Sequence, residues 1–311
     1  MEKFTIIITT YNRLPFLKVA LKSALIQTVP CEIIVVDDGS SDGTEAYMRS
    51  LGNRIIYCRN CINRGHSAAV NRGVKLASNQ WIKLLDDDDY LEPQCIEVLT
   101  QAICDFPNAV ICSGQVTITD SQGKKIGQTK TYTNSSFCVH QEDIHYGMLL
   151  DMLPLGTPVQ VAFNKQAFLK SQGWDSTFDG NYDDIDSWSR ICQYGDVLFI
   201  NHLIGYRRLW TGSCHKQLSL QKRCEMNIKI KQNIYKLVHN KHQKKLPKIL
   251  VIQSYVRWHW FFVALKKRTL LTGIKLVVFS PYALGGLELL FKIYYVKQFR
   301  LFFQYFTFEF N

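Results

Sequence analysis

Apolar runs and amphipathic stretches alternate along the first third of the chain. Phe4–Thr9 is short, apolar and β-branched, which predicts a buried strand. Leu14, Leu17, Leu21, Ala24 and Leu25 then recur at helical spacing. Ile33-Ile34-Val35-Val36 predicts a second buried strand, ending at Asp37-Asp38-Gly39. Asp42 is placed to cap the next helix, with Glu45 as its capping-box partner. Arg54–Tyr57 reads as a third strand, His66–Ala77 as a helix carrying small residues, and Trp81–Leu85 as a fourth strand. Pro93 suits the first turn of a further helix, and Ala109–Cys112 reads as a fifth strand. Strands alternating with helices predict βαβ units and an α/β fold with a doubly wound, mainly parallel sheet. The loops Thr9–Arg13, Asp37–Asp42, Asn63–Gly65 and Asp86–Asp89 would then converge along one edge.

The pattern weakens beyond residue 115. Gln115–Ser136 is polar and Thr-rich, consistent with an antiparallel pair turning at Ser121-Gln122-Gly123. Leu155-Gly156-Thr157-Pro158 predicts a turn, Val159–Phe163 a strand, and Lys165–Gln172 a helix ending at Gly173. After His215 the character changes. Leu220–Asn240 is a polar, basic helix, and Lys241–Lys248 is a charge run broken by Pro247. Ile249–Leu265 and Ile274–Tyr295 mix aliphatics and aromatics with interspersed cations.

Charge sharpens that boundary. The 311 residues carry a net charge of +11, very unevenly spread. Residues 1–215 hold 19 Lys and Arg against 23 Asp and Glu, whereas 216–311 hold 18 against 3. The organisation read from this is a catalytic body over 1–215 and a helical, basic and aromatic extension over 216–311. An excess of +15 in the extension calls for an anionic partner. Neither apolar stretch offers 18 clean apolar residues, so membrane spans are not expected. Cations among aromatics suit helices lying in a membrane interface, and 241–311 is the segment expected to meet an anionic membrane surface. Packing on the body or on a second copy is the alternative. No nucleic-acid module accompanies the charge, so nucleic acid is not expected as a partner. Cys58-Arg59-Asn60-Cys61 lacks the second pair that a structural zinc site uses. Met1-Glu2-Lys3-Phe4 shows no secretory signal pattern, which with ten Cys in no repeating spacing points to free thiols in a reducing cytoplasm.

The tetrad Asp86-Asp87-Asp88-Asp89 stands at the end of the fourth strand. Adjacent carboxylates repel, by about 4 kcal/mol per close pair at a protein surface. A solvated loop tolerates such a run. At the C-terminal end of a sheet strand, where open α/β folds bind ligands, it points instead to Mg²⁺ or Mn²⁺ bridging carboxylates to a phosphorylated ligand.

Several motifs together resemble family 2 glycosyltransferases. They are Thr9-Thr10-Tyr11-Asn12-Arg13, Asp37-Asp38-Gly39-Ser40-Ser41-Asp42-Gly43-Thr44, Asn63-Arg64-Gly65, Ala69-Val70-Asn71-Arg72-Gly73 and the tetrad. Gly173-Trp174-Asp175, followed by Asp183-Asp184-Ile185-Asp186-Ser187-Trp188, carries the likeness to about residue 213. The resemblance implies a Rossmann-like GT-A fold and inverting sugar transfer from a nucleotide-sugar. Residues 1–113 would bind the donor, and 114–215 would supply the acceptor side and the base. Donor-binding positions carried over are Thr9, Tyr11, Arg13, Asp38, Asn63, Gly65, Asn71, Asp86 and Asp87. Thr9 and Tyr11 would border the base, Asp38 would accept a hydrogen bond from it, and Asp86 would lie near the ribose. Asp88 would hold Mn²⁺ or Mg²⁺ on the diphosphate, and Asp184 would be the catalytic base. The chemistry agrees. A diphosphate leaves readily only when its charge is neutralised. The attacking hydroxyl needs a carboxylate within hydrogen-bond reach. An acceptor-only group such as Asp38 suits an imide N–H like that of uracil, favouring a UDP-sugar.

The chain departs from the family at Trp210, where a His often stands; His215 is the nearby replacement as metal ligand. The family also commonly has Glu where Asp183 stands. The Asp183–Asp186 acids also suit an ordinary first helical turn, and Tyr11 also suits a rim aromatic. The resulting expectation is a cytoplasmic enzyme, peripheral on the inner face of the plasma membrane, with a glycan or lipid-linked acceptor and a possible homo-oligomeric state. A nucleotidyltransferase and a catalytically silent nucleotide-sugar-binding scaffold are the competing classes.

Overall fold

Strand β1 (Phe4–Thr10) is buried along its whole length and is an interior strand of the sheet, third from one edge. Helix α1 (Leu14–Leu25) follows, then β2 (Glu32–Asp37), α2 (Thr44–Ser50), β3 (Ile56–Arg59), α3 (His66–Leu76) and β4 (Trp81–Asp86). Strands β1–β2, β2–β3 and β1–β4 all pair in parallel, which is the predicted βαβ arrangement. The computed structural model describes residues 3–129, 135–180, 182–210, 218–278, 280–298 and 308–309.

The rest of the sheet is mixed. Strand β5 (Tyr90–Leu91), α4 (Cys95–Cys104), β6 (Ala109–Thr119), β7 (Lys125–Gln128) and β8 (Phe137–Val139) come next. Helix α5 (Gln141–Leu149), β9 (Val161–Asn164), α6 (Lys165–Lys170), α7 (Asp183–Ile191) and β10 (Asp196–Arg208) follow. From β8 inward the sheet order is β8-β10-β6-β9-β4-β1-β2-β3, with the short strand β11 (Phe308–Glu309) beyond β8, β5 paired with β10 and β7 with β6. Strand β9 is antiparallel to both β4 and β6, so the parallel run stops at β4. Lys83 on β4 helps to explain this insertion. Its buried ammonium donates to the carbonyls of Pro158, Val159 and Val161 at 2.8, 2.9 and 3.3 Å, tying the lead-in of β9 to β4. The polar hairpin appears as β6 and β7, antiparallel, with Gly123 at φ +82° in the turn.

Asp42 does not complete the predicted capping box. Its carboxylate accepts from Leu14 N and from Thr44 N and Oγ1, so it serves the starts of both α1 and α2. Glu45 is drawn to Arg49 one turn on, at 2.6 Å.

By packing, the chain forms two units. The first comprises Met1–Cys138, Leu155–Gly212 and Glu309–Asn311, and the second Val139–Pro154 and Ser213–Phe308. The second contains α5 with α8 (Leu220–Leu237), α9 (Ile249–Lys266), α10 (Leu270–Val277) and α11 (Ala283–Gln298). The stretch read as one apolar segment from Ile274 is therefore split, with Pro281 in the break. Within this unit Lys231 is buried and donates to Met148 O, Leu149 O and Asp151 Oδ1, satisfying carbonyls at the end of α5. No described helix is long and apolar enough to cross a membrane.

Candidate functional site

Parallel pairing brings the ends of β1, β2 and β4 level. Thr10 lies opposite Asp37, and Thr9 opposite Asp86. The loops beyond are laced together. Asp38 N donates to Thr10 O at 2.9 Å, Asn12 N to Ser40 Oγ at 2.9 Å, and Ser41 N to Asn12 Oδ1 at 2.7 Å. Thr9 is buried beneath this edge, while Tyr11 stands 43% exposed on its rim.

The four carboxylates of the tetrad go to four different surroundings. The chain turns tightly there, with Asp89 N donating to Asp86 O at 3.1 Å, which splays the side chains. Asp86 meets His66 Nε2 at 3.1 Å. Asp87 accepts from Thr10 Oγ1 at 2.8 Å and from Arg13 Nη1 at 3.0 Å. Asp88 accepts from the Trp210 indole at 2.7 Å, with Arg13 at 3.6 Å. Asp89 accepts from the backbone N–H of Arg208 at 2.8 Å. Arg13 also lies over the Trp210 ring, 5.2 Å from its centroid, so it is held between an aromatic face and two carboxylates.

Asp38 is filled by protein donors. Asn60 Nδ2 donates to it at 2.6 Å, Arg64 N at 3.0 Å and Gly65 N at 2.9 Å. Asn63 Oδ1 accepts from Gly65 N, completing a tight loop. Gly65 has φ +93°, and a Cβ there would strike the Asp179 carboxylate. Asn71 is likewise spent within the protein: its amide donates to Trp174 O at 2.9 Å and accepts from Trp174 N at 2.8 Å. Asn71 and Asp38 therefore tie together the loops around them.

The second acidic cluster opens α7, where Tyr182 at φ +75° precedes the helix. Asp183 and Asp184 each accept from the next backbone N–H, at 3.0 and 2.7 Å. Asp186 is taken up by Arg190, one turn on. Asp183 Oδ2 lies 3.1 Å from His66 Nδ1. One imidazole thus touches both clusters, the second of which lies 117 residues further along the chain. His66 packs edge-on against Trp174, with ring centroids 5.1 Å apart, and so cannot easily swing away.

The electrostatics follow the partners. Burial disfavours the His66 cation, yet the carboxylates of Asp183 and Asp86 outweigh it and hold the imidazole well above its usual 6.5. Burial would raise Asp86, but His66 brings it below the usual carboxylate range. Burial pushes Asp87 up to about 6. Burial and the neighbouring Asp86 raise Asp88, and burial with Asp88 and Asp86 raises Asp89 well above the usual value. Asp184 is pushed up to about 7, first by burial and then by Asp183.

Oxygens of Asp86, Asp88 and Asp89 lie within 4.8 Å of one another. An all-oxygen set with crowded, under-neutralised charge fits a hard divalent cation. Asp87, bonded to Thr10 and Arg13, is not in that set. His215 lies outside the described residues.

The sequence alone assigns no role to His66 or Asp179, and it places Trp174 in a motif without a partner. Asp179 accepts from Ser67 N at 3.1 Å and from Ser67 Oγ, fixing the start of α3 under His66. The available signal was His66 directly after Gly65, at a helix start; its proximity to the two acidic runs is tertiary. Trp210 was noted only as a missing His, whereas it is a donor to Asp88.

Comparison with known proteins agrees with this geometry. Residues 5–168 match the sequence profile described as Glycosyl transferase family 2. Glycosyltransferase GlyA of Streptococcus pneumoniae is 30% identical over 126 residues, covering 39% of this chain and 18% of that protein. The uncharacterized glycosyltransferase YwdF of Bacillus subtilis is 41% identical over 104 residues, covering 32% and 38%. A GalNAc(5)-diNAcBac-PP-undecaprenol beta-1,3-glucosyltransferase of Campylobacter jejuni is 37% identical over 106 residues, covering 32% and 34%. The chain thus spans less than two-fifths of the length of these curated relatives. Among solved structures, S. aureus TarS 1-349 in complex with UDP-GlcNAc shares the fold, with a TM-score of 0.62 and 13% identity over 96% of this chain and 91% of that one. A family profile matching more than half of the residues, laid over a GT-A-like sheet with its acidic loops on one edge, places this chain in glycosyl transferase family 2.

Proposed function

We propose that the protein is an inverting glycosyltransferase that moves a sugar from a UDP-sugar to a hydroxyl of a lipid-linked glycan. The observation that carries this reading is His66 spanning Asp86 and Asp183 at 3.1 Å each. It joins the donor-side carboxylates to the cluster holding Asp184, although 117 residues separate His66 from Asp183. Single displacement uses two such sides: one to hold the diphosphate, and one to take a proton opposite it.

In this reading Tyr11 offers a stacking face for the base, and Asp38 shapes the Asn63-Arg64-Gly65 loop around its edge. Thr9 backs the base from beneath. Arg13 and Asp87 support the donor from one side, and Asp86 lies toward the ribose. Asp88, with Asp86 and Asp89, would hold Mn²⁺ or Mg²⁺, which when bound neutralises the departing diphosphate. Asp184 accepts the proton of the acceptor hydroxyl as its oxygen bonds to the anomeric carbon. The bond from that carbon to the diphosphate oxygen breaks, and UDP leaves. A carboxyl poised at about 7 suits a base working near neutral pH. We assign donor binding to 1–113, the base and acceptor side to 114–215, and contact with the cytoplasmic face of an anionic membrane to 241–311 within the basic extension 216–311.

The UDP-sugar draws support from TarS, whose structures carry UDP-GlcNAc and UDP. The lipid-linked acceptor draws support from the undecaprenol-linked substrate in the name of the Campylobacter relative. The test is a screen of nucleotide-sugars for UDP release and thermal stabilisation, with and without Mn²⁺. Stabilisation and release with at least one UDP-sugar are expected. Release of pyrophosphate from a nucleoside triphosphate and sugar phosphate, with no UDP-sugar turnover, would overturn the reading in favour of a nucleotidyltransferase.

A further inference from the structure

The second unit turns apolar side chains outward where a water-facing helix would carry polar ones. On α10 and its capping residue Val278, Leu270, Ile274 and Val278 recur every four residues, and Leu271 falls beside them, so all four share one side. All four are exposed, Leu271 at 77%. The opposite side is inward: Gly273 and Leu276 are buried, and Gly273 packs so tightly on α9 that a Cβ would meet Ala264 and Phe261 at 3.2 and 3.1 Å. Helix α11 repeats the arrangement. Gly286 sits directly against Ser254 and Tyr255 of α9, while Leu284, Phe291 and Tyr294 point out, Leu284 at 84%. Both helices are therefore seated through small residues, and what they expose is mostly bulky and apolar, with Glu288 and Lys292 also exposed on the outward side of α11.

Cations border these faces. Lys266, Lys267 and Arg268 form an exposed run just before α10, and Lys275 lies on α10 itself. The extension as a whole holds 18 Lys and Arg against 3 acids. Apolar side chains flanked by Lys and Arg match a surface with a negative face over a hydrocarbon interior, and no described helix is long enough to span it. We infer that the outward sides of α10 and α11 form a docking surface for an anionic lipid bilayer, with the aliphatic and aromatic side chains entering the interface and the cations reaching headgroup phosphates. The inference rests on the membrane part of the reading above and is independent of the transfer chemistry.

The test is flotation of the full chain with vesicles of phosphatidylcholine alone or of equal parts phosphatidylcholine and phosphatidylglycerol. The protein should float with the mixed vesicles at low salt and fall at least about tenfold with phosphatidylcholine or at high salt, because several cations each contribute about fivefold. Leu271→Glu with Val278→Glu should lose more than about tenfold in binding to the mixed vesicles. Far-UV circular dichroism and UDP release by that variant should match the parent. Lys266→Gln with Lys267→Gln is a second variant that leaves the apolar face intact and should weaken binding to the mixed vesicles. If the parent ignores anionic vesicles, the membrane reading fails. If it floats but the folded Leu271/Val278 variant floats equally well, this surface is not the one. A dimer in light scattering that the same variant dissociates, without vesicle binding, would assign the face to a second copy instead.

Discussion

Trp210 donates its indole N–H to Asp88 Oδ2 at 2.7 Å, occupying one oxygen of a carboxylate that clusters with Asp86 and Asp89. The indole can only donate, so it stabilises the carboxylate without adding a ligand. An imidazole in its place offers a nitrogen lone pair. Trp210→His should therefore tighten Mn²⁺ binding about tenfold, read by calorimetry or by the loss of the free Mn²⁺ electron-spin signal. Unchanged affinity would mean that the indole does not shape the cation site.

Asp184 is raised to about 7 by burial and by Asp183. A base must be unprotonated, so kcat/KM should climb with pH and level off above about 7. Asp184→Asn should lower kcat by about a thousandfold while leaving donor-induced thermal stabilisation in place. Turnover like that of the parent would remove Asp184 from the role of base.

The same crowding makes stability depend on pH. Folded Asp87 and Asp184, at about 6 and about 7, keep protons that an unfolded carboxylate has released by pH 5. More protons are bound in the folded state across that window, so stability should fall as pH rises from about 5 to about 7.5. His66 acts in the same direction. Its folded value lies above 6.5, so its stabilisation is complete below 6.5 and is lost as pH rises through the folded value. Melting temperatures should be lower at pH 7.5 than at 5.5, and Mn²⁺ should raise them more at the higher pH. A melting temperature that is flat or rises with pH would contradict this account.

Lys83 is fully buried, and burial brings its ammonium down to about 8. It still serves the carbonyls of Pro158, Val159 and Val161. Lys83→Met preserves the volume but strands those acceptors, at a cost of about 3 kcal/mol. A fall in melting temperature of roughly 5 °C is expected. A variant as stable as the parent would show that these bonds do not hold β9 in place.

How much of this was legible beforehand depended on distance along the chain. The parallel strands β1, β2 and β4 and the acidic loops at their ends were readable from local apolar runs, because a buried strand writes its burial into consecutive residues. The antiparallel insertion of β9 was not, since it depends on a contact between Lys83 and carbonyls some 75 residues away. Asn71 stood in a motif, yet its partner is the backbone of Trp174, 103 residues on, and nothing near Asn71 names it.

The sequence by itself determined that four carboxylates end a buried strand, that a second acidic run begins a later helix, and that the last third is basic and aromatic. Those are properties of neighbours in the chain. Only the tertiary structure decided which carboxylate meets which partner: Asp86 with His66, Asp87 with Arg13, Asp88 with Trp210, and Asp89 with the backbone of Arg208. Four identical side chains become different because hydrogen bonds and burial depend on what folds against them. The same reason applies to Leu271 and Leu284. Their hydrophobicity is written in the sequence, but their outward direction is set by the glycines that press the other sides of α10 and α11 onto α9.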